Sequence, residues 1–210
     1  MVKVRIFVEG GAHPNNTPNA ATATNSVFLR QSLNKLLNDA FDNSKVSIEC
    51  DLCGSYTGAK KSFKNADTST LLLIDLDGIE ATKAAKLSEL GLNDCKDRVF
   101  FMVQAMETWI LSQPMRLQEG LPNISQSYVK YTDFDMANDP LIAGIDVQTI
   151  CKPSQTLDHL LKKHFYEDKN GVRKELKYGK LKKSYDLIKL LDITELRNNF
   201  IDVENLLRKI

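Results

Sequence analysis

Leu71-Leu72-Leu73-Ile74-Asp75-Leu76-Asp77-Gly78 is an apolar run closed by two aspartates and a glycine. Continuously apolar strands belong at the centre of parallel sheets, where helices cover both faces, so the stretch predicts a buried third strand. Its aspartates then stand at the strand's carboxyl end, the side on which open α/β sheets place their ligand crevices. Asp75 and Asp77 are expected on one side of that end, because side chains alternate with a period of two. Towards the N-terminus, residues 57–64 make a helical turn or two and residues 46–50 a short strand. Residues 26–41 carry Phe28, Leu29, Leu33, Leu36, Leu37 and Phe41 at helical spacing, with Asn25 or Ser26 as the cap. The first strand, residues 3–8, is closed by Glu9-Gly10-Gly11. Towards the C-terminus, Ala81 to Leu90 is a helix stopped by Gly91, Arg98 to Val103 a fourth strand, and Gln104 to Leu111 a helix ending before Pro114. This alternation predicts an α/β fold: a mostly parallel four-stranded sheet flanked by helices, with a C-terminal helical extension.

The second half changes character. Residues 112–154 hold four of the six prolines and little periodicity, which predicts a loop-rich insertion over the core. Helical spacing returns from Gln155, where Leu157, Leu160 and Leu161 share a face, and again over residues 178–191 and 202–210. The expected organisation is a core at 1–112, the insertion at 113–154, and a basic helical segment at 155–210 packed on the core. Between Lys162 and Lys189, ten Lys or Arg stand against four Asp or Glu. Such a stripe attracts phosphate backbones, and it equally suits a solvated helix surface.

Bulk properties mostly exclude. The net charge is +1, and no run approaches the roughly 18 apolar residues of a membrane span. The N-terminus lacks the apolar core and cleavage site of a signal peptide, so a cytoplasmic location without membrane attachment is expected. Four cysteines make no disulfide framework, and Cys50-Asp51-Leu52-Cys53 has no second pair to complete a zinc site. His13, His159 and His164 have no metal spacing. No Gly-x-x-x-x-Gly-Lys-Ser/Thr stretch supplies a P-loop.

Three carboxylates, Glu9, Asp75 and Asp77, meeting in one crevice would repel one another unless a cation neutralised them. An all-oxygen set suits magnesium or manganese. Glu107, just after the fourth strand, lies at the same sheet edge and either completes the shell or complements its helix dipole. Lys60 and Lys61 follow the second strand as candidate phosphate contacts or plain surface lysines. Arg30, on the first helix, is expected to face solvent or to pair structurally, and Trp109 belongs to the core.

The order apolar strand, Glu-Gly-Gly, helix, strand, helix, apolar strand, Asp-x-Asp-Gly resembles the TOPRIM fold of topoisomerases, primases and OLD-family nucleases, over roughly residues 1–112. Val8 to Gly11, Leu71 to Asp75 and Phe101 to Leu111 are similar to small stand-alone bacterial TOPRIM-like proteins, as is Tyr178-Gly179-Lys180 through Leu191-Asp192. The resemblance implies that Glu9 is a metal ligand or acid/base and that Asp75 and Asp77 carry magnesium; Lys180, in the C-terminal segment, is a candidate to neutralise the transition state. The resemblance also implies a nuclease acting on DNA or tRNA. An ABC- or AAA-type ATPase encoded nearby and a role in defence against phage follow by the same resemblance. Monomer and homodimer stay open. Two other readings compete: a non-catalytic subunit regulated by an ATPase, and a haloacid-dehalogenase phosphatase with Asp75 as nucleophile. The phosphatase motif normally lies on a first strand and is followed by Thr, whereas here Ile79-Glu80 follow on a third.

Overall fold

The computed structural model describes residues 1–11, 20–131 and 135–210. Strands β1 (Val2–Val8), β2 (Val46–Leu52), β3 (Leu71–Asp75) and β4 (Val99–Met102) form one wholly parallel sheet in the order β2-β1-β3-β4. β3 is buried at every position, as its apolar sequence requires. Helix α1 (Ala20–Asn38) connects β1 to β2, α2 (Tyr56–Lys64) connects β2 to β3, and a 3-10 turn at Glu80–Thr82 with α3 (Lys83–Glu89) leads towards β4. Gly91, at φ +59°, ends that passage in the left-handed conformation that glycine adopts without strain.

Alternate residues feed two cores. Val4, Ile6 and Val8 of β1 join Leu71 and Leu73 of β3 under α1. Phe7, Leu72 and Ile74 point the other way, against Ala59 and Phe63 of α2. After β4 come α4 (Glu107–Leu111), α5 (Pro114–Ile124), β5 (Tyr128–Lys130) and α6 (Pro153–His164). A hairpin of β6 (Phe165–Lys169) and β7 (Val172–Glu175) follows, then α7 (Lys180–Ile188), α8 (Ile193–Asn199) and α9 (Ile201–Lys209). Their apolar faces belong to the α1 core, which takes in Leu117, Leu161, Leu187 and Leu206 together with Leu33 and Val8.

Several local expectations need correction. α1 begins at Ala20, so neither Asn25 nor Ser26 caps it; the Ser26 hydroxyl donates to Thr22 O inside the helix. The passage after β4 is a turn before it is a helix. Gln104 has φ +59°, and the helix itself runs only from Glu107. The stretch expected to be loop-rich contains the eleven-residue α5, and beyond β5 it runs through short 3-10 turns. The C-terminal segment is not all helical: β5, β6 and β7 form an antiparallel sheet. Asn170-Gly171, at φ +55° and +81°, makes the two-residue hairpin turn, for which this residue pair is the usual sequence signal. No helix among the described residues is long and apolar enough to cross a membrane.

Candidate active site at the sheet's switch point

From β1 the chain crosses to β2 on one side, then returns past β1 to β3 on the other. The loops after β1 and β3 therefore diverge, and a crevice opens between them at the carboxyl ends of the strands. Glu9 follows β1 directly, its N–H extending the ladder to Leu73 O at 3.0 Å. Asp75 is the last residue of β3. The Asp75 N–H donates to Glu9 Oε2 at 3.2 Å, so carboxylates 66 residues apart line one cavity of about 320 Å³. Gly10 and Gly11, at φ +123° and +72°, line the same cavity with backbone alone. A Cβ on Gly11 would lie 2.9 Å from Leu52 Cδ1, so a side chain there would have to displace the Leu52 side chain. Reciprocal backbone bonds between Gly10 and Gly54 tie this turn to the one after β2.

Asp75 is held from three sides. Its Oδ1 accepts the Met106 N–H at 3.1 Å, and its Oδ2 lies 3.3 Å from Lys180 Nζ. Lys180 also stands 4.0 Å from Glu107 Oε2, and Tyr178 donates its hydroxyl to Glu107 Oε1 at 2.9 Å. α7 brings these groups in. Tyr185 packs on Phe28 of α1 with ring centroids 5.2 Å apart, and the Tyr178 N–H donates to Asp158 of α6. A lysine in a helix's first turn opposes the helix dipole. Lys180 nonetheless opens α7, where its ammonium meets Asp75 and Glu107.

The electrostatics follow from burial. Asp75 is pushed up from 3.8 to about 7 by desolvation; Lys180 pulls it down, while Glu9 and Glu107 add to the rise. Burial also raises Glu9, against the Asp75 N–H that favours its charged form. For Lys180, burial works downward, but Asp75 and Glu107 outweigh it and hold the ammonium above the ordinary lysine value. Burial and Glu107 push the Tyr178 phenol far up, so its hydroxyl stays a donor. One lysine thus faces three acids, Asp75, Glu107 and Glu9.

The structure brings Glu9, Asp75, Glu107 and Lys180 together and leaves Asp77 at the exposed rim, near enough for its charge to raise Glu9. β3 stops at Asp75, so strand alternation no longer governs Asp77. At φ +54°, its side chain is 65 % exposed and pairs with Lys86 at 3.4 Å. Backbone bonds lock Gln104 to the Asp77-Gly78 turn, the Asp77 N–H donating to Gln104 O and the Gln104 N–H to Gly78 O, both at 2.9 Å. Two non-glycine residues in left-handed conformations, each costing on the order of 1 kcal/mol, thus flank the crevice. Glu107 does open a helix, but its oxygens face Tyr178 and Lys180. Tyr178 is the site residue to which sequence reading gives no role; its spacing from Lys180 is the signal the chain offers.

Among the described residues, no three His, Cys, Asp or Glu side chains gather closely enough to hold a metal ion jointly. The donor chemistry nevertheless suits a divalent cation. Glu9 and Asp75 both line one cavity, and Glu107 Oε2 is buried without a hydrogen-bond partner. The cysteines are free thiols, and Trp109 is fully buried. His164 is buried against Asp139 at 2.8 Å, and His13 lies outside the described residues. Compared with family models, with curated proteins and with solved structures, the chain finds no match.

Proposed function

We propose that this protein is a divalent-metal-dependent nuclease that cleaves nucleic-acid phosphodiesters at the crevice between β1 and β3. The observation that carries the reading is the meeting of Glu9 and Asp75 at the topological switch point, with the Lys180 ammonium 3.3 Å from Asp75. Glu9 and Asp75 are the residues that would hold magnesium or manganese, with Asp77 at the rim and Glu107 behind Lys180. The ion would supply water activation and charge neutralisation at the phosphorus. Lys180, half-exposed at the mouth, orients a phosphate oxygen and offsets charge developing on it. Tyr178 holds Glu107, and Glu107 in turn holds Lys180. An ATPase partner and a role in phage defence rest on the sequence resemblance alone.

The test incubates the purified protein with labelled DNA and RNA, with magnesium, manganese or chelator. Expected is metal-dependent cleavage that falls by roughly 100-fold or more in Glu9→Gln and Asp75→Asn. Cleavage that persists in chelator, or that both variants retain, would sink the proposal. A second reading, a binding subunit with structural acids, draws on the position of Lys180 between Asp75 and Glu107. It expects no turnover in any metal. Turnover of a simple phosphomonoester, abolished in Asp75→Asn, would instead indicate a phosphatase.

A further inference from the structure

Beside the acidic crevice lies a second cavity of about 540 Å³, between α2 and the end of α3, lined by Tyr56, Lys60, Lys61, Lys64, Glu89 and Leu90. We infer that it is a subsite for single-stranded nucleic acid, in which Tyr56 stacks a base and Lys60 and Lys61 hold the adjoining phosphates. The inference rests on the nuclease reading above and names the form of its substrate.

Helical spacing puts Thr57, Lys60, Lys61 and Lys64 on one face of α2. Lys64 spends a hydrogen bond on Gly91 O at 3.0 Å, and Glu89 supplies one negative charge. Lys60 and Lys61 have no acid partner within ion-pair distance among the described residues, which leaves them for an anion. Tyr56 is a large aromatic that the fold leaves 42 % exposed. It begins α2 two residues after Gly54, which itself lines the carboxylate cavity. Lys86 joins the two places: its Nζ is 5.7 Å from the Tyr56 ring centroid and 3.4 Å from Asp77 Oδ2. A strand whose phosphate sat at Glu9 and Asp75 would therefore run over Gly54 onto an aromatic face and then a pair of lysines. Bases inside a duplex are already stacked on both sides and cannot reach such a ring, so the geometry favours an unpaired strand.

Binding of a fluorescein-labelled 12-nucleotide strand, followed by anisotropy in chelator so that nothing is cut, separates this subsite from the chemistry. The wild type is expected to bind the single strand more tightly than a duplex of the same sequence. Tyr56→Ala weakens that binding by roughly 10-fold, and Tyr56→Phe restores it to within about twofold. The double variant Lys60→Ala/Lys61→Ala makes the log–log salt dependence shallower by about 1.4, which is roughly 0.7 for each phosphate left without its lysine. Unchanged affinity and salt slope in these variants, or a wild type that prefers duplex or binds neither, overturns the subsite. Cleavage that needs Glu9 but ignores Tyr56 and the lysine pair leaves the nuclease reading standing without it. Binding that depends on Tyr56 with no cleavage in any metal does the reverse.

Discussion

Asp75 is a carboxylate whose burial disfavours its charged form more than Lys180 favours it. Its raised value, about 7 against 3.8, means that between those limits the folded chain holds a proton the unfolded chain has released. Stability from this group is therefore full below the lower value and is lost as pH rises through the upper one. Asp75→Asn keeps an acceptor for the Met106 N–H and removes the charge. Urea titrations are expected to find the variant more stable than wild type near pH 8, by at most roughly 4 kcal/mol, with the difference closing towards about pH 4. Parallel pH profiles would show that Lys180 already satisfies the site. On the metal reading, magnesium raises the wild-type value at alkaline pH and leaves the variant where it was.

The sheet must close two edges, and at each a helix supplies the side chains that do so. Beside β2, Asn38 of α1 bonds both the N–H and the C=O of Ile48, at 2.8 and 2.9 Å, while Asn34 accepts the Cys50 N–H at 2.7 Å. Beside β4, Asp202 of α9 accepts the Phe101 N–H at 2.8 Å, its charge offset by Lys83 at the same distance. Unpaired strand edges invite pairing with other chains, so these contacts also guard against aggregation. Asn38→Ala strands two partly buried backbone groups and should cost about 1–3 kcal/mol in chemical denaturation. Lys35→Ala, which breaks only an exposed pair on the same helix, should stay within about 0.5 kcal/mol. Equal effects would show that the asparagines are incidental.

Over the whole molecule, the C-terminal segment completes both the core and the site. Leu187, Leu196 and Leu206 share one apolar cluster with Leu33 of α1 and Val8 of β1, and Lys180 reaches Asp75 from 105 residues away. Residues 1–112 alone would keep the strands yet expose the apolar face that α5 to α9 cover. The fragment is expected to lose a cooperative thermal transition by circular dichroism and to bind an apolar dye. A sharp transition without dye binding would mean that the sheet and its own helices suffice.

The sequence by itself determined the sheet. The apolar run at 71–74 has no stable place except between helices, and the β-α alternation around it leads to parallel strands with Glu9 and Asp75 at their carboxyl ends. That inference is short-range, because strand direction and burial are written in local periodicity. The β6–β7 hairpin is also marked, through Asn170-Gly171, although its charged strands hide the apolar alternation that usually accompanies such a turn. Only the tertiary structure decided which acids meet. Asp77, two residues from Asp75, turns towards Lys86, while Glu107, Tyr178 and Lys180 converge on Asp75 from elsewhere. Those placements depend on the φ of one residue beyond a strand end and on helix packing across more than 100 residues, and neither leaves a periodic trace in the chain.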